Sequence, residues 1–132
     1  MALVVLDASV VIAFLDPDDA LHEAAVEALT EHQHDELLIP LSVYAEILVA
    51  PYRRGREAVA ELETFLADLA IRIEPLTPPI ARAAAQLRSV SRGRLPDALV
   101  LATADELEAD SVITGDESWR PISERVTLIQ RT

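Results

Sequence analysis

Short blocks of consecutive apolar residues alternate along this chain with longer stretches in which apolar residues return every three or four positions. Leu3-Val4-Val5-Leu6 is such a block, too short for a helix, and reads as a buried strand over residues 3–6. Ala8 to Leu15 is apolar again and stops at Asp16-Pro17-Asp18-Asp19, a turn that ends in helix-capping residues. From about Ala20 to Thr30, Leu21, Ala24, Ala25, Ala28 and Leu29 share one helical face. Leu37-Leu38-Ile39 predicts a second strand, closed by Pro40, and helices follow from about Ser42 to Arg53 and from about Glu57 to Leu69. Ile71-Arg72-Ile73 predicts a third strand. Behind Thr77-Pro78-Pro79, Ile80, Ala83, Ala84, Leu87 and Val90 keep helical spacing until Ser91-Arg92-Gly93-Arg94 breaks it. Pro96 suits the first turn of a helix that runs to about Leu107. Val112-Ile113 and then Val126 to Ile129 supply the fourth and fifth strands.

Strands alternating with helices predict βαβ units and an α/β fold: a central, mainly parallel sheet of about five strands with helices on both faces. At 132 residues the chain is expected to form a single domain, 1–132. The helix from Leu95 is apolar nearly all round through Ala98-Leu99-Val100-Leu101-Ala102, which places it between layers rather than on the surface. Ligands of such sheets bind beyond the carboxyl ends of the strands, where the strand order reverses.

Against this apolar background four acids stand out. Asp7 ends the first strand, and Asp116 follows Val112-Ile113-Thr114-Gly115. Glu46 and Asp97 interrupt the apolar helical patterns Val43-Tyr44-Ala45-Glu46-Ile47-Leu48 and Leu95-Pro96-Asp97-Ala98-Leu99. If folding brings them together they repel: two unit charges ~4 Å apart cost roughly 4 kcal/mol at an effective dielectric of 20. Several such pairs would strain a fold stabilised by only ~5–15 kcal/mol. A Mg²⁺ or Mn²⁺ ion relieves that repulsion, and all-oxygen ligand sets are what these hard ions prefer. Ser9 and Thr114, each two residues from an acid, could orient a carboxylate or a bound water. Separate roles remain open for each acid: a helix cap for Asp7, a dipole partner for Asp97, a half-exposed position for Glu46, a turn for Asp116.

Composition narrows the chemistry. The net charge is -12 and all 11 basic residues are arginine, which argues against nonspecific coating of nucleic acid but leaves room for a local basic rim. Arg53 and Arg54, with Arg56, and Arg92 and Arg94, with Arg88, are two clusters near Glu46 and Asp97 in sequence that could grip the phosphates of a nucleic acid. Cysteine is absent, so disulfides, thiolate metal sites and a cysteine nucleophile are excluded. With only three glycines a glycine-rich phosphate loop is not expected. No apolar run approaches the ~18 residues of a membrane span, and the N-terminus lacks the basic stretch of a signal peptide, so a cytoplasmic protein with no membrane partner is expected. His32 and His34 diverge on a helix, with no acid fixed beside them, and do not read as a metal pair. Trp119 and Tyr44 could stack on a base, but both read better as partly buried.

Four stretches in order resemble the PIN-domain family, in particular the small VapC-type toxins. They are Val5-Leu6-Asp7-Ala8-Ser9, Tyr44-Ala45-Glu46-Ile47-Leu48, Leu95 through Ala104 (LPDALVLATA) and Val112-Ile113-Thr114-Gly115-Asp116. The resemblance implies a three-layer α/β/α sandwich, an endoribonuclease dependent on Mg²⁺ or Mn²⁺, a homodimer and a cognate antitoxin. It assigns Asp7, Glu46, Asp97 and Asp116 as catalytic, metal-binding acids with Thr114 as the polar accessory. A metal-activated water would then attack RNA phosphodiesters and leave a 5′-phosphate and a 3′-hydroxyl. The chain departs from the family pattern at Glu117, an extra carboxylate expected to be solvated, and at Trp119, where the family often has Phe. A phosphoacceptor receiver domain is excluded because no lysine is present, and a haloacid-dehalogenase phosphatase because Asp7-Ala8-Ser9 is not Asp-x-Asp. The competing reading is a catalytically inactive PIN-type module that binds RNA or a protein.

Overall fold

The computed structural model describes residues 1–131. Five strands, β1 (Leu3–Leu6), β2 (Glu36–Pro40), β3 (Arg72–Glu74), β4 (Ser111–Thr114) and β5 (Val126–Leu128), form one sheet in the order β3-β2-β1-β4-β5. Every neighbouring pair is parallel. Six helices connect them: α1 (Ala8–Leu15), α2 (His22–Glu31), α3 (Leu41–Arg54), α4 (Arg56–Asp68), α5 (Pro78–Val90) and α6 (Leu95–Glu106).

Val4, Val5, Leu6, Leu38, Ile39, Val112 and Ile113 have no solvent exposure, which is why the central strands read as unbroken apolar blocks. With this strand order, the general rule that parallel crossovers are right-handed puts the β1–β2–β3 connections on one face and the β3–β4 connection on the other. The expectation for α6 holds. Val100, Leu101 and Ala104 face the main core, while Ala98 and Ala102 pack with Ile80 and Ala84 of α5 in a second cluster. A helix caught between a sheet and another helix must be apolar on both sides.

Where the element ends differ from the sequence pattern, local chemistry explains it. α2 begins at His22 rather than Ala20 because Asp16 and Asp19 accept from the backbone N–H groups of Asp18 and Leu21 (2.9 and 2.8 Å) and hold that segment in turns. Pro40, expected to close β2, still pairs with Glu74 of β3, and α3 starts at the next residue. β5 stops at Leu128, although Ile129 N–H still donates to Thr114 O at 2.9 Å. A single turn of 3₁₀ helix over Glu117–Trp119 is too short to carry a periodic signal in the sequence.

The chain winds outward from β1 through β2 to β3 and returns to β4 on the other side of β1. Strand order therefore reverses between β1 and β4, and Asp7 and Asp116 leave the sheet on either side of that crevice.

Candidate active site at the carboxyl edge of the sheet

Asp7 is the hub. Its Oδ2 accepts from the Ser9 and Thr114 hydroxyls, both at 2.8 Å, and its Oδ1 accepts from Ala8 N–H at 2.8 Å as the cap of α1. Both hydroxyls also accept. Ser9 Oγ takes Gly115 N–H at 3.0 Å, and Thr114 Oγ1 takes Asp116 N–H at 3.1 Å. One carboxylate thus ties the end of β1 to the end of β4. The approach is close: a Cβ on Gly115 would lie 2.6 Å from Leu21 Cδ1. Burial pushes the Asp7 carboxyl above its ordinary range, and the Ser9, Thr114 and Ala8 donors oppose that rise. The capping role weighed for Asp7 in the sequence is realised, and the same carboxylate also joins the ends of β1 and β4.

Glu46 lies in the second turn of α3 and Asp97 in the first turn of α6. Each is raised above its ordinary value, first by partial loss of hydration from the backbone and side chains around it and then by neighbouring negative charge. For Glu46 the neighbours are Asp7 and Asp97; for Asp97 they are Asp7 and Asp116. The four acids therefore share one electrostatic field, although they come from four separate stretches of chain. Asp116 itself is exposed, and its Oδ1 accepts from Ser118 N–H and Oγ at 2.9 and 2.6 Å as the cap of the 3₁₀ turn. Glu46 is exposed too, because the buried stripe of α3 is Val43, Ile47 and Pro51 and position 46 falls beside it.

Arg94 is the cation that offsets both Glu46 and Asp97. Arg92 is exposed in the same turn. Arg53 and Arg54 lie elsewhere: they line a groove of about 530 Å³ between α1 and α3 with Ile12, Leu15 and Ile47. Glu117 is exposed. An acid does stand beside the histidines, since His32 Nδ1 pairs with Asp35 Oδ2 at 2.8 Å. Tyr44 is half-buried and its hydroxyl donates to Glu63.

The donor set suits a hard dication in kind: carboxylates in a shared negative field, with Asp7 oriented by three hydrogen bonds and one lone-pair direction left over. The arrangement is open rather than a closed cage. Among the described residues, no three His, Cys, Asp or Glu side chains stand close enough to hold a metal ion.

A PIN domain family model matches residues 4–124, spanning all four acids. The chain belongs to the PIN domain family. No curated protein matches it in sequence. Its fold is similar to that of a toxin–antitoxin complex chain from Klebsiella pneumoniae, 22% identical, with 98% of this chain and 99% of that one covered and a TM-score of 0.82. It is also similar to Mycobacterium tuberculosis VapC20, a sarcin–ricin loop cleaving toxin (18% identity, 91% and 95% covered, TM-score 0.75). A third is VapBC2 from Rickettsia felis bound to a promoter DNA fragment (14% identity, 97% and 99% covered, TM-score 0.78). At such identities the likeness is one of fold.

Sequence reasoning underrates one residue of this PIN domain. Trp119 is not partly but fully buried, 2% exposed, and its indole Nε1 has no hydrogen-bond partner among the described residues. Its place in a three-residue turn gives no periodic signal.

Proposed function

We propose that this PIN domain is a metal-dependent endoribonuclease that hydrolyses RNA phosphodiester bonds by water attack, and that it acts as the toxin of a type II toxin–antitoxin pair. The observation that carries the reading is the shared field of Asp7, Glu46, Asp97 and Asp116 at the strand-order reversal. Asp7, Asp97 and Asp116 would hold Mg²⁺ or Mn²⁺, with Glu46 binding the ion or orienting the attacking water. The chemistry such a dication supplies is a more acidic water and neutralised charge at the phosphate.

The remaining roles fall to the chain itself. Ser9 and Thr114 fix the Asp7 carboxylate so that it need not reorganise as charge develops. Arg94, beside Glu46 and Asp97, is placed to receive an RNA phosphate; Arg92 extends that rim. Arg53 and Arg54 are some seven residues along α3 from Glu46, about 11 Å at the helical rise, and would contact RNA away from the cut. The neighbouring toxin–antitoxin assemblies support a protein partner; with it we propose a basic antitoxin segment for the acidic surface, and a homodimer in the cytoplasm. Among the described residues no helix is long and apolar enough to cross a membrane.

Cleavage of a 5′-labelled RNA with Mg²⁺, Mn²⁺ or EDTA tests the proposal. Metal-dependent products ending in a 3′-hydroxyl support it; metal-independent cleavage or a 2′,3′-cyclic phosphate overturns it. A second reading, an inactive PIN-type module binding RNA or a protein, is favoured by the open spacing of the acids. Binding without cleavage under every metal condition would establish that reading instead.

A further inference from the structure

The 3₁₀ turn that follows Asp116 carries chemistry that the acidic site does not use. Glu117, Arg120 and Pro121, on that turn and just after it, line a concavity of about 440 Å³ with Leu128 and Gln130, at and beyond the end of β5. Leu128 is half-buried and the other four residues are exposed, so two apolar side chains stand within reach of three polar heads. Residues three apart on a 3₁₀ turn eclipse, which sends Glu117 and Arg120 out on one side; Arg120 N–H donates to Glu117 O at 3.3 Å. Among the described residues neither side chain enters an ion pair, with the other or with a third group. The concavity also adjoins the four acids. Glu117 directly follows Asp116, and Ile129 N–H, between Leu128 and Gln130, donates to Thr114 O at 2.9 Å.

We propose that this concavity reads an unpaired guanine base of the RNA, at or beside the cut. The inference rests on the ribonuclease reading above and extends it from cleavage to choice of sequence. The two charged heads select the base. A carboxylate only accepts hydrogen bonds and a guanidinium only donates them. Guanine alone of the four RNA bases offers two neighbouring donors, N1–H and N2–H, to one carboxylate and two acceptors, O6 and N7, to one guanidinium. Adenine presents N6–H beside the N1 lone pair, cytosine N4–H beside N3, and uracil a single N3–H between two carbonyl oxygens. Each of those leaves a lone pair facing one oxygen of Glu117. Pro121 and Leu128 supply apolar contact for the face of the base, and Gln130 a further polar group at its rim. Both edges of a guanine are free together only where the base is splayed out of a helix, which confines recognition to single-stranded RNA.

Chemical-shift titration of the ¹⁵N-labelled full chain with 5′-GMP, 5′-IMP and 5′-AMP reads the pocket without any cleavage. The three nucleotides share ribose and phosphate, so differences between them belong to the base. GMP is expected to move the amides of Glu117, Arg120 and Gln130 and to bind about tenfold more tightly than AMP, with IMP, which lacks the N2 amine, between them. Glu117→Gln, which keeps the size but replaces one acceptor by a donor, and Arg120→Ala should each remove most of that preference; both positions are exposed, so both variants should fold. On a randomised single-stranded RNA with Mn²⁺, wild-type cuts should cluster at guanine, and Glu117→Gln should lose that bias. No amide shift at millimolar GMP, equal affinity for GMP and AMP, or an unchanged preference in the two variants overturns the guanine pocket. Metal-dependent cleavage without base bias overturns it as well and leaves the nuclease standing. Selective GMP binding with no RNA cut under any metal keeps the pocket and overturns the nuclease instead.

Discussion

Thr114→Val isolates the hydrogen-bond hub without disturbing its shape. Thr114 has no solvent exposure, and valine matches its volume, so no cavity opens. Two hydrogen bonds disappear: the hydroxyl's donation to Asp7 Oδ2 at 2.8 Å and its acceptance from Asp116 N–H at 3.1 Å. The first is to a charged group, a class worth about 1.5–3 kcal/mol; the second is partly recoverable by hydration at the exposed Asp116. A loss of about 2–3 kcal/mol in unfolding free energy at neutral pH follows. Burial raises the folded-state pKa of Asp7 above its ordinary 3.8, and Thr114 opposes the rise. A carboxyl that holds its proton more tightly when folded weakens the fold as pH climbs from its unfolded value to its folded one. Removing the Thr114 donor moves the upper limit of that window higher. The variant's deficit is therefore greatest at neutral pH and smaller below the ordinary value, where Asp7 is protonated in both states. Urea unfolding of both proteins at neutral and acid pH measures it. A deficit under about 0.5 kcal/mol at neutral pH, or one equal at both pH values, would refute the hub.

Asp97→Asn removes a charge that burial and the charges of Asp7 and Asp116 disfavour, so the apo protein should be as stable as wild type or more so at neutral pH, while cleavage is lost. Mg²⁺ at 100 times its Kd should add about 2.7 kcal/mol to wild-type stability, and calorimetry of the variant should show that increment gone. Arg94→Ala deprives Glu46 and Asp97 of their compensating cation; because Arg94 is exposed, the apo stability loss should stay below about 1 kcal/mol and shrink in high salt, and RNA should bind more weakly in a filter assay. Gly55, between α3 and α4, sits at φ 119° and ψ -179°, and a methyl group there would meet nothing within 4 Å, so Gly55→Ala should lose about 1–3 kcal/mol from backbone strain alone, read by urea unfolding.

The residues best read from sequence are those whose role is set by local periodicity. Val4, Val5 and Leu6 declare a doubly covered strand because nothing polar survives there. The all-round apolar surface of α6 likewise declares a helix held between layers. The acids are legible as exceptions to such patterns, but for one of them the pattern misleads. Glu46 interrupts an apolar sequence without being enclosed, because 3.6-residue periodicity carries it off the Val43–Ile47–Pro51 stripe. What no window of sequence can supply is contact between distant segments. Asp7 and Thr114 are separated by 107 positions, and only parallel pairing of β1 with β4 makes their hydrogen bond possible. The same holds for the indole of Trp119, hidden in a turn too short to show a period, and for Arg53 and Arg54, near Glu46 in sequence but facing the α1–α3 groove.

Anomalous diffraction from a crystal soaked in Mn²⁺ tests the central claim most directly, since it counts the ions and identifies their oxygen ligands. The account predicts at least one Mn²⁺ peak within coordination distance, about 2.0–2.3 Å, of Asp7 together with Asp97 or Asp116. Full-occupancy Mn²⁺ elsewhere on the surface, with these carboxylates left turned away from one another, would contradict it.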